Sequence, residues 1–179
     1  LDPHRSGRSL ADPADRDYVT DVADVFEELD AAYDLLAATH DSITLMAHST
    51  GGLTASLWAA QRPGRLAGLA LNSPWIALWG PTGYSSVLLP PLHALARRDP
   101  LTELRLADPG DRYASCVHAS MHGEWDYDLA LKSTGRVPIR VGWARAILLG
   151  QRRVARGLGV GVPIFMACST RSYLRAGGY

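Results

Sequence analysis

The chain has 179 residues, 47% hydrophobic and 20% charged, with a formal net charge of zero. That is enough apolar material for one sizeable core. The charge balance gives no electrostatic footprint for nucleic acid, and no run approaches the ~18 consecutive apolar residues of a membrane span. Cys116 and Cys168, the two cysteines, are too far apart in sequence to read as a disulfide framework, and with no signal peptide a reduced, cytoplasmic setting is expected.

In chain order, Leu1 to Ser9 reads as the end of a strand followed by a polar loop that continues through Asp12-Pro13 and Asp15. Residues 1–41 carry eleven acids against three arginines, read as a solvated acidic helix face. Tyr18, Val19, Val22, Val25, Phe26, Leu29, Ala32, Tyr33 and Leu36 fall at steps of three and four, which predicts one amphipathic helix over roughly 18–39. Ile43, Leu45 and Met46 form a short apolar run, a buried strand. Leu53 to Ala60 reads as a helix that stops at Arg62-Pro63-Gly64. Leu66 to Asn72 is a second strand, parallel to the first through a right-handed crossover. Residues 75–150 change character: Trp75, Trp79, Trp125 and Trp143 occur here with six prolines, and strand–helix alternation ceases. Short helices are expected near 85–98 and 142–156, in a packed lobe over the carboxyl ends of the strands. Val160 to Cys168 is a third strand, with Pro163 near its start where a missing N–H is tolerable. The strands near 43–48, 65–72 and 162–167 are predicted to be parallel neighbours in that order.

The chemistry concentrates at Ala47-His48-Ser49-Thr50-Gly51, between the first strand and the following helix. This is the G-x-S-x-G pattern with Ala in the first glycine slot. A serine on a sharp strand-to-helix turn holds its hydroxyl above the sheet, and small residues two before and two after it let strand and helix approach. The Thr50 N–H and the helix N-terminus then face any negative charge that develops on a substrate. The plain alternative is a small-residue turn; the strand before, the helix after and the second strand favour a nucleophile.

Three features together resemble the α/β-hydrolase superfamily: this elbow, the strand ending Asn72-Ser73-Pro74, and the long insertion before the Pro163 strand. The Arg5-Ser6-Gly7-Arg8-Ser9 loop is similar to the Gly-rich loop these enzymes carry after an early strand. The branch resembled is that of the capped monoacylglycerol lipases, lysophospholipases and serine-aminopeptidase-like hydrolases. Gly123 to Asp128, then Gly142-Trp143-Ala144-Arg145, are similar to cap motifs of bacterial members. The resemblance implies an α/β fold: a partial α/β-hydrolase, with a mainly parallel sheet flanked by helices and a mostly helical cap insertion. Its parts are a core over 1–74, a cap over 75–158, and a core strand with a truncated end over 159–179. It implies hydrolysis of a small-molecule acyl ester through an acyl-Ser49 intermediate, with Thr50 as half the oxyanion hole and Ala47, His48 and Gly51 completing the elbow. No cofactor or metal is implied, and no protein partner is named.

Such enzymes place a carboxylate and then a histidine after the serine in chain order, yet no Asp, Glu or His follows Asp128. Triad acid and base are therefore read as absent, as are the strands before Leu1. Ile43–Met46 is then expected to be an open sheet edge, apolar on both faces, and Val25, Phe26, Leu29 and Trp58 to be partly exposed. An inactive truncated hydrolase, and a binding module whose sheet a partner completes, stand beside the enzyme reading. His48 is read as packing. His118 and His122, four apart near Glu124, have zinc-like spacing, but Gly123 breaks the helix that would align them. Asp126 and Asp128 could mimic a carboxylate pair, but are read as forming surface or cap salt bridges with nearby arginines.

Overall fold

The computed structural model describes residues 1–12, 15–77, 84–104, 116–131 and 138–169. Trp79, Pro81 and Pro109 lie outside them. The elements in chain order are a 3-10 turn at Gly7–Ser9, a second at Val22–Val25, helix α1 (Phe26–Ala37), strand β1 (Thr44–His48), helix α2 (Thr50–Gln61), strand β2 (Gly68–Asn72), helices α3 (Tyr84–Arg98) and α4 (Val141–Ala155), and strand β3 (Ile164–Ala167).

The three strands are parallel in the order β1-β2-β3, as the apolar runs predict. Register sets the faces. Leu45 lies opposite Leu69, which lies opposite Ile164, and Ala47, Leu71 and Met166 follow on the same face. Helix α2 covers the β1 and β2 part of that face, while Ile164 and Met166 of β3 stay exposed. The helix is apolar nearly all round, burying Leu53, Ala55, Leu57, Trp58 and Ala59, the mark of a central helix. Ile147 of α4 enters the same cluster beside Val22, Val25 and Phe26.

The amphipathic stretch from Tyr18 is not one helix. The α-helix begins only at Phe26, because Asp21 and Asp24 form a reciprocal capping box that winds Val22–Val25 as a 3-10 turn. Asp24 also accepts from the N–H of Thr20 at 2.7 Å and of Asp21 at 3.0 Å. Tyr18, Val22 and Val25 still reach the core, so the apolar spacing is honoured without α-helical backbone.

Nor are Val25, Phe26 and Trp58 partly exposed. All three are buried, Trp58 to 2% exposure, while Leu29 is half-buried. The 3-10 turn, α2 and α4 close over them. Apolar side chains are exposed instead on the opposite sheet face, where Met46, Ala70 and Phe165 are in register and Met46 and Phe165 are 73% and 71% exposed, and on β3, where Ile164 and Met166 are exposed as well.

Much of the acidic N-terminal charge is paired rather than solvated. Asp30 accepts from Trp58 Nε1 at 3.0 Å and from Arg62 through two oxygens at 3.0 and 2.8 Å. Arg65 lies between Asp30 and Asp34 and stacks on Tyr33. Asp21 receives a bidentate pair from Arg153 at 2.7 and 2.6 Å. The Arg62 hydrogen bonds hold the Asp30 carboxyl below its usual range, and those of Arg153 do the same for Asp21.

Two outcomes follow. Asp30→Ala leaves the buried Trp58 N–H without its acceptor, so equilibrium denaturation should show a loss of about 1–3 kcal/mol. Both carboxyls have lowered folded-state pKa values, so their contribution is complete above the ordinary carboxylate value of about 3.9 and is lost as pH falls through the lower values. The stability gap between the wild-type chain and Asp21→Asn should therefore be widest near neutral pH and close in acid, as followed by urea midpoints. A gap that widened on acidification would contradict the pairing.

Gly52, in the first turn of α2, has a steric role. A Cβ there would lie 2.6 Å from Pro74 Cβ and 2.9 Å from Pro74 Cα. Gly52→Ala should destabilise the chain by about 1–3 kcal/mol through overpacking, whereas Gly51→Ala, which meets nothing within 4 Å among the described residues, should cost far less. Thermal melts of the two variants decide the matter.

Candidate functional site

Ser49 sits between β1 and α2 with φ 51° and ψ −122°. A serine in this region is strained by about 1–3 kcal/mol and persists only where its surroundings hold it. They do so here through the backbone. The Ser49 N–H donates to Asn72 O at 3.2 Å, and its carbonyl accepts from Gly52 N–H at 3.0 Å and Trp75 N–H at 2.8 Å. Beyond β2, Ser73 is also left-handed at φ 45° and donates to Ala167 O at 2.6 Å. The ends of all three strands are thereby tied to the Ser49 turn.

A serine at a helix N-cap ordinarily turns its oxygen onto the N–H groups of the first turn. Ser49 is the N-cap of α2, yet its side chain makes no capping bond. Thr50 opens α2, where N–H groups have no intrahelical acceptor. A half-exposed hydroxyl that does not cap its helix stands beside the positive end of that helix, an arrangement able to present an oxygen nucleophile and to stabilise an oxyanion.

The small residues around Ser49 divide their work differently from the sequence expectation. Close approach of helix and strand end is at Gly52 against Pro74; Gly51 faces open space. His48 is exposed rather than packed, and its Nδ1 bonds Asn72 O at 2.9 Å, the same carbonyl that receives the Ser49 N–H.

Thr50 and Gly51 line a cavity of about 530 Å³, walled largely by apolar residues including Val19, Leu29, Leu45, Trp143 and Ile147. His4 lies on this wall too. Its Nδ1 meets Glu28 Oε1, and its backbone N–H donates to Glu28 Oε2 at 3.1 Å. A histidine held by a carboxylate is a base-type pair that the sequence reading missed, because nothing local links residues 24 apart. Ser49 itself is not part of the cavity wall.

His118 and the residues around it have other work. Buried His118 bonds Ser120 Oγ through Nδ1 at 2.7 Å and Tyr127 O through Nε2 at 3.2 Å. Gly123 packs against the Val117 carbonyl so closely that a Cβ has no room. No cluster of metal-ligating side chains occurs among the described residues. The expected arginine partners of Asp126 and Asp128 are not found there: Asp126 lies 3.8 Å from His118 Nε2, and Asp128 caps a turn by accepting from Ala130 N–H at 2.8 Å. Trp125 is exposed, while Trp75 and Trp143 pack together at 6.0 Å. Gln151 of α4 donates to Trp75 O at 3.0 Å, fastening α4 to the segment beyond β2.

Comparison with known proteins fits this architecture. The family model described as serine aminopeptidase, S33 matches residues 4–169. The fold is similar to that of a monoacylglycerol lipase from Paleococcus ferrophilus (TM-score 0.63, 17% identity), covering 93% of this chain and 59% of that one. It is also similar to a soluble variant of monoglyceride lipase from Saccharomyces cerevisiae solved with a substrate analogue (TM-score 0.64, 13% identity), covering 94% of this chain and 57% of that one. The chain thus spans less than two thirds of the length of either. A comparison with curated proteins finds no match. With a parallel sheet, a left-handed serine turn and a family match over nearly its whole length, the chain has an α/β-hydrolase fold and belongs to the serine aminopeptidase S33 family.

Proposed function

We propose that these residues form the nucleophile half of a serine hydrolase acting on carboxylic esters of the monoacylglycerol or lysophospholipid kind. The observation that carries the reading is the Ser49 hydroxyl, held on a left-handed turn and not used to cap α2. In the proposed reaction Ser49 Oγ attacks the ester carbonyl and gives its proton to a base. The oxyanion is met by the Thr50 N–H, the alcohol leaves with a proton, and water then hydrolyses acyl-Ser49. Ala47, His48 and Gly51 belong to the turn in this reading, and residues 75–158 act as the cap. The apolar cavity beside Thr50 suits an acyl chain better than a charged group. Two monoacylglycerol lipases among the similar folds agree with that substrate class. Free, exposed Cys116 and Cys168 accord with a cytoplasmic, reducing setting, which is part of the same proposal. No helix among the described residues is long and apolar enough to cross a membrane.

No Asp, Glu or His follows Asp128, so the triad acid and base are not assigned here. A fluorophosphonate probe tests the reading. Ser49 should be the labelled residue by peptide mass spectrometry, labelling should vanish in Ser49→Ala, and the rate should be slow. A chain carrying an Asp and a His on an appended downstream segment should label about 10²–10⁴-fold faster, the usual contribution of a general base. Fast labelling of the 179-residue chain would instead locate a base within it, with His4→Gln the first variant to make. Absence of any Ser49 label in both chains would leave the inactive-hydrolase reading in its place.

A further inference from the structure

Helices α3 and α4 pack against each other, and neither contains an acid. Between them lies a groove of about 430 Å³ lined by Ser86, Leu89, Pro90, His93, Ala94, Arg97, Leu149 and Arg152. The lining follows helical spacing. Leu89, His93 and Arg97 are four apart on α3, and Leu149 and Arg152 three apart on α4, so one stripe faces the other. The Pro90 ring adds apolar wall without a backbone N–H. Arg145, one turn before Leu149, donates from Nε to His93 Nδ1 at 3.1 Å. A neutral His93 therefore carries its proton on Nε2 and is a donor there.

The rim charges are uncompensated. Arg153 is paired with Asp21 and Arg140 donates to Leu101 O, but Arg97 and Arg152 have no hydrogen-bond or ion-pair partner among the described residues. Two guanidinium groups without a partner among the described residues, and a histidine, thus border an apolar floor with no carboxylate among its lining residues. Charge complementarity asks for one anionic head, and the floor asks for a hydrocarbon tail. The volume lies near the small end of the range of about 300–1,000 Å³ for small-molecule sites, room for one tail rather than a bilayer patch. Guanidinium is planar and matches a carboxylate in a fork.

We propose that the α3–α4 groove binds the anion of a single-chain fatty acid, its carboxylate held by Arg97 and Arg152 and its chain laid along Leu89, Pro90 and Leu149. This site is separate from the Ser49 turn and does not depend on the esterase reading.

The test is isothermal titration of the full chain with dodecanoate, below its micellar concentration and at mildly alkaline pH. Dodecyl phosphate and neutral dodecanoyl glycerol serve as further arms, in the Ser49→Ala background so that no ester is turned over. Dodecanoate should bind, and Arg97→Gln with Arg152→Gln should weaken it about tenfold or more, the scale of one lost charged hydrogen bond. Arg98→Gln, outside the groove, should leave it unchanged. A diazirine-bearing dodecanoate should cross-link to α3 and α4. Far-UV circular dichroism of the double variant checks that it is folded. The proposal fails if neutral and anionic amphiphiles bind alike, if the double variant binds as well as its parent, or if cross-links map to the cavity beside Thr50. Binding of dodecyl phosphate in clear preference to dodecanoate would overturn the carboxylate assignment. Adsorption to anionic phosphatidylglycerol vesicles without any dodecanoate binding would replace the site with a surface effect.

Discussion

The left-handed turn at Ser49 is the constraint on which the rest of the molecule depends. A non-glycine residue does not hold φ 51° unaided. Its N–H and its carbonyl are both committed, to Asn72 and to Gly52 and Trp75. Those partners lie just beyond or within the ends of β2 and α2, so the turn can exist only if β2 runs parallel to β1 in the observed register. The sheet topology and the serine conformation are one structural requirement seen twice. Gly52 belongs to it as well, because Pro74 must pass within contact of the first turn of α2. Any side chain at residue 52 would lift α2 from the strand ends and release the backbone bonds that hold Ser49.

Charge performs the second half of the assembly. Acids crowd the first 41 residues and arginines crowd residues 97–156. Within the core layer, Asp30 gathers Arg62, Arg65 and the indole of Trp58, joining α1 to the C-terminal end of α2 and the turn after it. Asp21 both caps the turn before α1 and binds Arg153 of α4. One carboxylate therefore fixes local backbone and docks a helix 132 residues away. Isolated surface pairs contribute little. These contribute more because each carboxylate also satisfies N–H groups that would otherwise lack acceptors.

The strands, their order and the elbow were legible because each rests on a local pattern: short apolar runs, turn signals at Arg62-Pro63-Gly64, and small residues around Ser49. Helices α3 and α4 were legible for the same reason, to within a residue at either end. What was not legible depends on partners distant in sequence. Residues 18–25 have helical spacing, but the Asp21–Asp24 box selects a tighter turn. The burial of Trp58 follows from Tyr33 and Asp30 of α1, and neither adjoins it in the chain. His4 and Glu28 meet only after folding. The steric glycine was assigned to residue 51 by the motif, whereas coordinates place the close contact one residue later, since what matters is where Pro74 passes. His48 shows the same limit: alternation assigns it a face, but not that its ring reaches the Asn72 carbonyl.

Register also explains why the sheet is covered on one side among the described residues. Leu45, Leu69, Ala47 and Leu71 point toward α2, and the odd–even alternation then sends Met46, Ala70 and Phe165 outward together. Making Met46 polar would leave the inner core intact, but a one-residue slip would exchange the two faces entirely. The inner face therefore fixes the outer one: with leucines committed to α2, the apolar outer row cannot be withdrawn by adjusting the strands. Its place on the outer face is a property of the sequence alternation itself. A row of this kind favours association in water, and the same argument applies to β1, which has no neighbour on its outer edge among the described residues and lies beside the Thr50 cavity. The Ser49 turn is thus anchored on its β2 side and open on the other. Its rigidity comes wholly from the strand ends and α2, which is why the backbone bonds of Ser49, rather than the sheet edge, carry the geometry of the site.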